Sequence, residues 1–471
     1  MHKKQQAALT LAVLAAAVSV ALPTEAARQQ DAEKAVAQAA QPVPETISEK
    51  AAALAHSKVK VSSFNLSSNS VLTKEKIISL VPELGKDTID VAKLGREIAL
   101  YNQGGAIKIF ANFEQQGDGY RLHVNSATGK HVTAGIWFSN NGNTYTGDWR
   151  GTVTYVDRNL TGRGDTLGAA VISSLDHAGD VRQGAVSYRF NLPKAADTMT
   201  ISASLSDSKL SDLAKGYPFD ISSTGKSARV GLSGQHYLAN SSREKDYFDL
   251  GLSYHHSKSD ASLTWGALNV PFGKYSVNHL DTTLSFCHQD AGLSHRFHYG
   301  LGVQTNLTSD EDDFHEMTPG SDKHYYVFHA DASYQKKLPG DWLFMARTMG
   351  QYTSQDLIGC EKFGAGGMDS VRGFDENIRT ADKGISGSLE IYTPVCLKGL
   401  RALAFVDGAS LRNNRSGSAG TDLASSGLGL RYSHENLRLA LDYAWVLHEP
   451  DSVEHDPAGH RRWNFWGGFT F

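Results

Sequence analysis

Cysteine, excess charge and long apolar runs are the features that this 471-residue sequence largely lacks. Its three cysteines, Cys287, Cys360 and Cys396, include no Cys-x-x-Cys pair, so neither a disulfide framework nor a cysteine-based zinc site is indicated. The net charge of −4 gives no support to nucleic-acid binding. Beyond the N-terminus, no stretch approaches the ~20 apolar residues of a membrane-spanning helix. If this protein resides in a membrane, it must cross it with strands.

No pattern of residues in the sequence indicates catalysis or a cofactor. Gly225–Ser227 resembles the end of a phosphate-binding loop, but Asp220 stands where that loop requires its first glycine. The acidic run Asp310–Asp313 precedes His315-Glu316, and the Met-Thr-Pro that follows breaks the helical two-histidine zinc pattern. A solvated loop is therefore favoured there over weak binding of a divalent cation. We predict no enzyme activity and no catalytic, cofactor-binding or metal-ligating residues.

The N-terminus carries the features of an export signal. Lys3-Lys4 precedes an apolar run from Ala7 to Leu22, and small residues follow it. This pattern predicts a secretory signal peptide over residues 1–26. Residues 27–57 are rich in Ala, Gln, Glu and Lys and contain two prolines, which predicts an N-terminal arm. Short helical pieces and a flexible linker remain alternatives for that arm.

Residues 58–128 show a mixed pattern of helix and strand. The predicted order is strand, helix, helix, strand, strand, over Val59–Leu66, a helix capped by Thr73, Val91–Tyr101, Ile107–Glu114 and Tyr120–Asn125. This order predicts a small α+β domain that precedes the rest of the chain.

From residue 129 onward the sequence changes to strand-like segments separated by turn residues. Apolar and polar residues alternate, as in Phe248–Tyr254 and Leu437–Leu447. Both soluble sandwiches and membrane barrels alternate in this way, because successive side chains of a strand point to opposite faces. The last strand places aromatic residues on one face and ends at Phe471. At about 21 residues per strand and turn, residues 129–471 would form about 16 antiparallel strands.

Turn lengths near the C-terminus indicate an orientation. Lys398-Gly399 and His434–Asn436 predict tight turns, whereas Leu411–Ser425 and His448–His460 predict long polar connections. In membrane barrels the short turns lie on the periplasmic side and the long loops outside. Alternation of the two kinds then places the segment 354–383 on the extracellular side.

The segment 354–383 is longer than an ordinary connection within a domain. Its composition is not that of a disordered linker, because Phe363, Val371 and Phe374 supply apolar anchors. Arg372 lies between two of these anchors, so its guanidinium would enter a partly apolar setting and need a carboxylate partner. The alternative is a solvated surface turn that carries a single arginine.

Three parts of this segment resemble a known signature. Leu357–Phe363, Gly366-Gly367 and Val371-Arg372-Gly373-Phe374 are similar to the motif of the two-partner secretion transporters. These are the haemolysin-activator and filamentous-haemagglutinin transporters, within the superfamily of outer-membrane assembly barrels. The resemblance implies an all-β transmembrane barrel preceded by periplasmic POTRA modules. It also implies that the signature loop folds into the lumen, where its arginine meets an acidic residue of the barrel wall.

The carboxylate expected to meet Arg372 is Asp407. It lies in Phe405–Gly408, which resembles the family pattern Phe-x-Asp-x-Gly except that Ala409 replaces the glycine. Alternation along this strand would place Asp407 on the lumen face. Glu390 and Asp442 are lumen-facing alternatives.

The resemblance implies an outer-membrane transporter that secretes an unfolded partner exoprotein of the haemolysin or adhesin type without ATP. The client would be large and β-helical, and the POTRA-like domain would bind its extended segments in the periplasm. The arm at 27–57 resembles a helix that plugs the lumen. Phe471 resembles the sorting signal read by the barrel-assembly machinery, which would insert the chain, as a monomer, among outer-membrane lipids.

One departure and two alternatives accompany this hypothesis. Family members usually have two POTRA modules, and residues 58–128 leave room for one. A barrel-assembly factor of the same superfamily is the first alternative function. A passive porin is the second, and a POTRA module argues against it.

Overall fold

A computed structural model describes residues 57–103, 105–143, 145–192, 195, 197–210, 219–240, 244–290, 294–309, 320–415, 420–448 and 461–471. The predicted signal peptide (1–26), the arm up to residue 56, the acidic stretch at 310–315 and the connection at 449–460 lie outside the described residues. No helix within the described ranges is both long and apolar enough to cross a membrane.

The first described region is a small α+β module. Its elements are β1 (Lys58–Leu66), α1 (Lys74–Leu80), a 3₁₀ turn (Pro82–Gly85), β2 (Thr88–Asp90), α2 (Val91–Asn102), β3 (Ile107–Gln116) and β4 (Gly119–Thr128). The sheet has the order β2-β1-β4-β3, with β1 parallel to β4 and the other pairs antiparallel. The predicted order of five elements is confirmed. Strand β2 was not predicted, because three residues are too few to show alternation.

Capping side chains and a compact core define this module. The Thr73 side chain accepts a hydrogen bond from the Lys76 amide, and Asp90 caps α2 through the Lys93 amide. The buried core comprises residues from both helices and the sheet: Ile77, Leu80, Ile89, Leu94, Ile109, Leu122 and Val124. Helices on one face of the sheet therefore bury their apolar sides against it.

The rest of the described chain forms a closed antiparallel barrel of sixteen strands. The barrel strands are β5 (Val132–Ser139), β6 (Arg150–Asp157), β7 (Thr166–Ser174), β8 (Val181–Leu192), β9 (Asp197–Leu210), β10 (Asp220–Asn240), β11 (Glu244–Trp265), β12 (Leu268–Asp290), β13 (His295–Ser309), β14 (Tyr326–Lys337), β15 (Leu343–Tyr352), β18 (Lys383–Tyr392), β19 (Leu400–Arg412), β20 (Thr421–His434), β21 (Leu437–His448) and β22 (Arg461–Thr470). Two short strands, β16 (Phe363–Ala365) and β17 (Arg379–Ala381), lie between β15 and β18. The predicted fold class, an α+β module before a barrel of about sixteen strands, is confirmed.

The barrel closes where its last strand meets its first. Strand β22 pairs with β5, and the Phe471 amide donates a hydrogen bond to the Ala134 carbonyl at 2.8 Å. Trp137 of β5 stacks on Trp466 of β22, with ring centroids 4.9 Å apart. The aromatic C-terminal strand is thus a component of the seam.

Alternation along the strands separates an apolar outer face from a lumen face. In β19, Ala404 and Val406 are exposed on the outer face, while Arg401, Phe405 and Asp407 are buried on the inner one. On β11 the exposed set is Phe248, Leu250, Leu252 and Tyr254. A wide apolar outer surface of this kind is what a barrel in a bilayer requires.

The two ends of the barrel are named by their position relative to the α+β module. The end next to the α+β module is called the module end, and the opposite end the far end. Strands β20 and β21 are joined at the module end by Glu435-Asn436, as predicted. The tight turn predicted at Lys398-Gly399 is present: Cys396 and Leu400 exchange backbone hydrogen bonds across it, although β18 itself ends at Tyr392.

The long connection predicted over Leu411–Ser425 is wrong in extent. Strand β19 continues to Arg412 and β20 begins at Thr421, with Leu411 opposite Thr421. Leu411 and Leu423 are buried in an apolar cluster with residues of the segment between β15 and β18. That burial keeps the hairpin paired beyond the point at which its polar composition indicates a loop.

Candidate functional site: the loop inside the barrel

The connection from β15 to β18 spans residues 353–382 and is called the lumen loop. It starts at the far end, and β16 pairs with β17 to make a small hairpin inside it. The segment around Arg372, which connects β16 to β17, contacts the inner faces of β18, β19 and β21. Ser388 and Glu390, which it reaches, lie in the half of β18 nearer the module end. The loop therefore descends well into the lumen.

Glycines allow the turn at the tip of the lumen loop. Gly366 and Gly367 have φ of 110° and 98°, values that other residues rarely adopt. The Gly367 amide donates to the Val371 carbonyl at 3.1 Å, which closes the turn before Arg372. Gly373 has φ of 99°, and a Cβ there would lie 3.4 Å from the Ala444 Cβ. Its small size thus permits close approach to β21.

Apolar side chains on both sides of Arg372 hold the tip against the wall. Val371 and Phe374 are fully buried in a cluster of loop and wall residues: Phe363, Ala365, Val371, Phe374, Ala381, Ala409, Leu411 and Leu423. The alternative of a solvated surface turn is therefore wrong. An arginine between two buried apolar residues must be buried too, and it needs partners there.

Asp407 contacts Arg372 in a bidentate arrangement. Arg372 Nε lies 2.7 Å from Asp407 Oδ2, and the terminal nitrogen Nη2 lies 2.8 Å from Oδ1. The Arg372 backbone amide also donates to Asp407 Oδ2 at 3.1 Å. The guanidinium carbon is 3.5 Å from the centroid of the Phe405 ring, so the cation also rests on an aromatic face. Planar fork geometry of this kind requires arginine and is not reproduced by lysine.

Both alternative carboxylates also meet Arg372. Nη2 lies 2.7 Å from Glu390 Oε1, and Nη1 lies 3.2 Å from Asp442 Oδ2. Nη2 donates further to the Ser388 hydroxyl at 3.1 Å. Asp407 was the predicted partner, with Glu390 and Asp442 as alternatives, but the three surround one guanidinium.

A second arginine, Arg431 of β20, balances part of this negative charge. Its Nη1 and Nη2 lie 2.6 and 2.9 Å from the two oxygens of Asp442. Arg431 was not predicted, although its lumen-facing parity on β20 was an available signal. Burial alone disfavours the cation, but the carboxylates of Glu390, Asp407 and Asp442 raise the pKa of Arg372 above its ordinary value. The loop tip therefore remains charged.

A second group of polar contacts, which was not predicted, holds the base of the lumen loop. Glu361 Oε1 lies 3.1 Å from His279 Nε2 on β12, and that nitrogen is 2.7 Å from the Tyr325 hydroxyl. Gln304 of β13 also donates to the Glu361 carboxylate. His279 and Tyr325 are fully buried. Glu361 lies within the recognised motif, but nothing in the sequence pointed to His279.

The ionisation of Glu361 depends on this histidine. Burial alone raises the pKa of Glu361, but the charge and hydrogen bond of His279 outweigh it and lower the pKa to about 2. Two further contacts hold the ends of the loop. Gln351 donates to the backbone carbonyls of Glu361 and Asp382, at 2.8 and 3.0 Å.

A third contact joins the loop to the last strand. Asp375, directly after the Val371–Phe374 motif, forms an ion pair with Arg462 of β22. The lumen loop is therefore attached to β12, β18, β19, β21 and β22. These contacts join parts of the wall that are far apart in sequence, and together they place the loop across the lumen.

The family model of haemolysin secretion/activation protein ShlB/FhaC/HecB matches residues 118–432. Among solved structures, the chain is similar to CdiB from Escherichia coli, with a TM-score of 0.70 and 16% identity over 88% of this chain and 76% of that one. CdiB from Acinetobacter baumannii gives a TM-score of 0.65 and 16% identity, over 88% and 74% of the two chains. No curated protein sequence matches the chain.

A further similar structure is BamA from Haemophilus ducreyi lacking POTRA domains 1–3, with a TM-score of 0.54 and 15% identity over 88% of this chain and 85% of that one. At these identities the likeness to solved structures shows the fold alone. The family match shows more than the fold, because it spans more than half of the chain. The matched residues include the lumen loop with Arg372, and also Asp407 of β19. The chain therefore belongs to the haemolysin secretion/activation protein family, and it is an outer-membrane β-barrel transporter of the two-partner secretion type.

Proposed function

We propose that this transporter exports an unfolded exoprotein of the haemolysin or adhesin type through its own lumen, without ATP. The client is large and β-helical, and the lumen loop is the gate that it displaces. The observation that supports the gate is the burial of Arg372 among Asp407, Glu390 and Asp442. A loop that lay only on the protein surface would not need a buried cation with three carboxylate partners.

The gate must leave the wall for a client to pass, because the loop lies across the lumen. A buried ion pair is costly to separate into an apolar space but much less costly to transfer to water. An advancing hydrated client segment would supply that water. The network then favours one closed position and still opens without a chemical energy source.

The α+β module acts in the periplasm as the receptor for the client. Its sheet ends in β2 and β3, so β3 presents an edge to which an extended segment can add as a strand. A contact between the module and the barrel supports this role, because Gln103 donates to the Tyr237 hydroxyl of β10 at 3.2 Å. Deleting residues 58–125 should leave a barrel that inserts but exports no client. Normal export by that truncated chain would remove the module from the mechanism.

The chain reaches the membrane through the barrel-assembly machinery and functions as a monomer. The C-terminal strand supports the first part, because Trp463, Phe469 and Phe471 are exposed on its outer face as a sorting signal would be. Closure of β22 on β5 supports the second, because the barrel completes its sheet without a second copy.

A reversible lock tests the gate directly. A Cβ at Gly373 would lie 3.4 Å from the Cβ of Ala444, close to the spacing of about 3.8 Å in disulfides. In a chain whose three native cysteines are replaced by alanine, Gly373→Cys with Ala444→Cys should stop export when oxidised and restore it when reduced. The comparison is made within one variant, so the strain of a side chain at φ 99° is the same in both states.

Two outcomes would overturn the proposal. Equal export in the oxidised and reduced states would show that the loop need not leave the wall. If oxidation instead lowered the insertion of other outer-membrane barrels, with client export unchanged, the chain would be an assembly factor. Each single-cysteine variant is the control for effects that do not depend on the disulfide.

A further inference from the structure

A cluster of histidine and aspartate side chains lies on the outer face of the barrel at the module end, far from the lumen loop. It comprises Asp246 of β11, His288 and Asp290 of β12, and His295 of β13. One ligand atom from each of His288, Asp290 and His295 lies within 4.8 Å of the other two. We propose that this cluster binds a divalent transition-metal ion, with Zn²⁺ the best fit.

The three proposed ligands have the spacing of a partly closed metal site. His288 Nε2 lies 3.0 Å from Asp290 Oδ1, and His295 Nδ1 lies 3.9 Å from Asp290 Oδ2. Ligand atoms about 2.0–2.2 Å from a tetrahedral zinc are about 3.4 Å from one another. The pair at 3.0 Å is near this spacing, and the three ligand atoms, which lie within 4.8 Å of one another, would close by up to about 1.4 Å around a bound ion.

Asp246 contacts His288 in the way that a carboxylate beside a metal site contacts a metal-binding histidine. Its Oδ1 lies 2.5 Å from His288 Nδ1, on the ring nitrogen opposite the one that faces Asp290. A carboxylate that accepts the Nδ1 proton fixes the ring orientation and leaves the Nε2 lone pair for a metal. Without a metal, Nε2 must carry a proton to face Asp290 at hydrogen-bond distance. Zinc would take the place of that proton.

The surroundings limit the motion of both rings. His288 stacks on Phe297 with centroids 5.0 Å apart, and His295 packs against Phe297 and Tyr334 at 5.5 and 5.2 Å. Aromatic side chains of this kind form the belt of a membrane barrel at the membrane–water boundary. Two imidazoles and a carboxylate select zinc or a similar metal over Mg²⁺ and Ca²⁺, which prefer all-oxygen sites.

A bound metal would join the ends of β12 and β13, with β11 as the outer support. Strand ends at the rim of a barrel are its least constrained part, because they have neighbours on fewer sides. A metal clamp there would reduce opening of the rim without affecting the lumen. The site is thus independent of the proposed gate.

The test is a titration with zinc, measured by calorimetry, of the full-length protein in detergent. Bound metals are first removed with a chelator. We expect one saturable Zn²⁺ per chain. His288→Ala and His295→Ala should each weaken binding by more than about 100-fold, and Asp246→Asn by about 10–100-fold, as for outer-shell partners. His177→Ala is the matched control, because His177 pairs with Asp180 at the far end and should leave zinc binding unchanged.

Hydrogen exchange supplies a readout that does not depend on transport. In the wild type, added zinc should slow amide exchange at the ends of β12 and β13. In His295→Ala, the exchange rates at these strand ends should be the same with and without zinc. Heat-modified gel mobility confirms that each variant forms a barrel. Absence of saturable binding by the wild type, or wild-type affinity in His295→Ala, would show an interfacial hydrogen-bond cluster only. Wild-type affinity in Asp246→Asn would overturn the orienting role of Asp246.

Discussion

The lumen loop is held at its tip and at its base by two networks of different chemistry. At the tip, Arg372 contacts Asp407, Glu390 and Asp442, so one permanent cation meets three carboxylates. At the base, Glu361 contacts His279, so one carboxylate meets a side chain that can lose its charge near neutral pH. Both networks are buried, and they are attached to different parts of the barrel wall.

The difference between the two networks indicates a division of roles. A guanidinium keeps its charge at all physiological pH values. The ion pairs at the loop tip are therefore present throughout that pH range. Several partners also make the tip tolerant to the loss of one. The base has fewer charges and relies on hydrogen bonds and apolar packing around Leu357 and Ile358. We therefore expect the tip to control export and the base to control loop stability.

Removing the tip cation should have the largest effect. Arg372→Ala leaves three carboxylates in the lumen with one fewer cation, at a cost of about 3–5 kcal/mol. Client export, measured at equal barrel abundance in the membrane, should be abolished or strongly reduced, because a loop tip with no defined position on the wall can no longer alternate between one closed and one open position and obstructs the lumen. Arg372→Lys should rescue poorly, because an ammonium cannot form the fork to Asp407. Near-normal export by Arg372→Ala would mean that the tip does not control the gate.

Removing one tip carboxylate should have an intermediate effect. Asp407→Asn weakens the fork and the contact to the Arg372 amide, but Glu390 and Asp442 still partner the guanidinium. Export should fall less than in Arg372→Ala. The double variant should match Arg372→Ala, since coupled residues do not lose the same interaction twice. Additive losses would show that Asp407 acts separately from Arg372.

Neutralising the base should have a smaller effect on export than on local order. Glu361→Gln keeps the size of the side chain but removes the charge that faces His279. Amide exchange should rise around residues 357–363 and remain unchanged at 371–374, with export only modestly reduced. A loss of export equal to that of Arg372→Ala would contradict the division of roles.

The pH dependence of stability gives the smallest and most specific effect. The pKa of Glu361 is lowered to about 2, so its contribution is present above its ordinary pKa and lost as pH falls towards 2. Between about pH 4.5 and neutral pH, the thermal midpoint of the wild type should exceed that of Glu361→Gln. The gap should close below about pH 4.5 and narrow at higher pH, where histidine loses its charge. A gap that is constant with pH would show that the ionisation of Glu361 does not contribute.

Much of the barrel and part of the site could be predicted from local patterns. Period-two alternation gave the strand faces correctly in β11 and β19, because the pleat forces successive side chains apart. Extents were less certain: the polar composition of 411–425 indicates a loop, yet pairing continues to Leu411 and Thr421. Burial of Leu411 and Leu423 against the lumen loop, a contact distant in sequence, decides that boundary.

The sequence by itself determined the alternating strands from residue 129 onward, the preceding α+β module and the need of Arg372 for a carboxylate, since each follows from local periodicity or from the cost of burying a charge. Its resemblance to the transporter family, and not the periodicity, indicated that these strands form a barrel. Only the tertiary structure decided that Asp407, Glu390 and Asp442 share that arginine, and that Glu361 meets His279. These groups come together because closing the barrel brings the lumen faces of strands distant in sequence around one loop. Side-chain parity gives the face that a residue occupies, but not its height in the lumen or the loop residue opposite it.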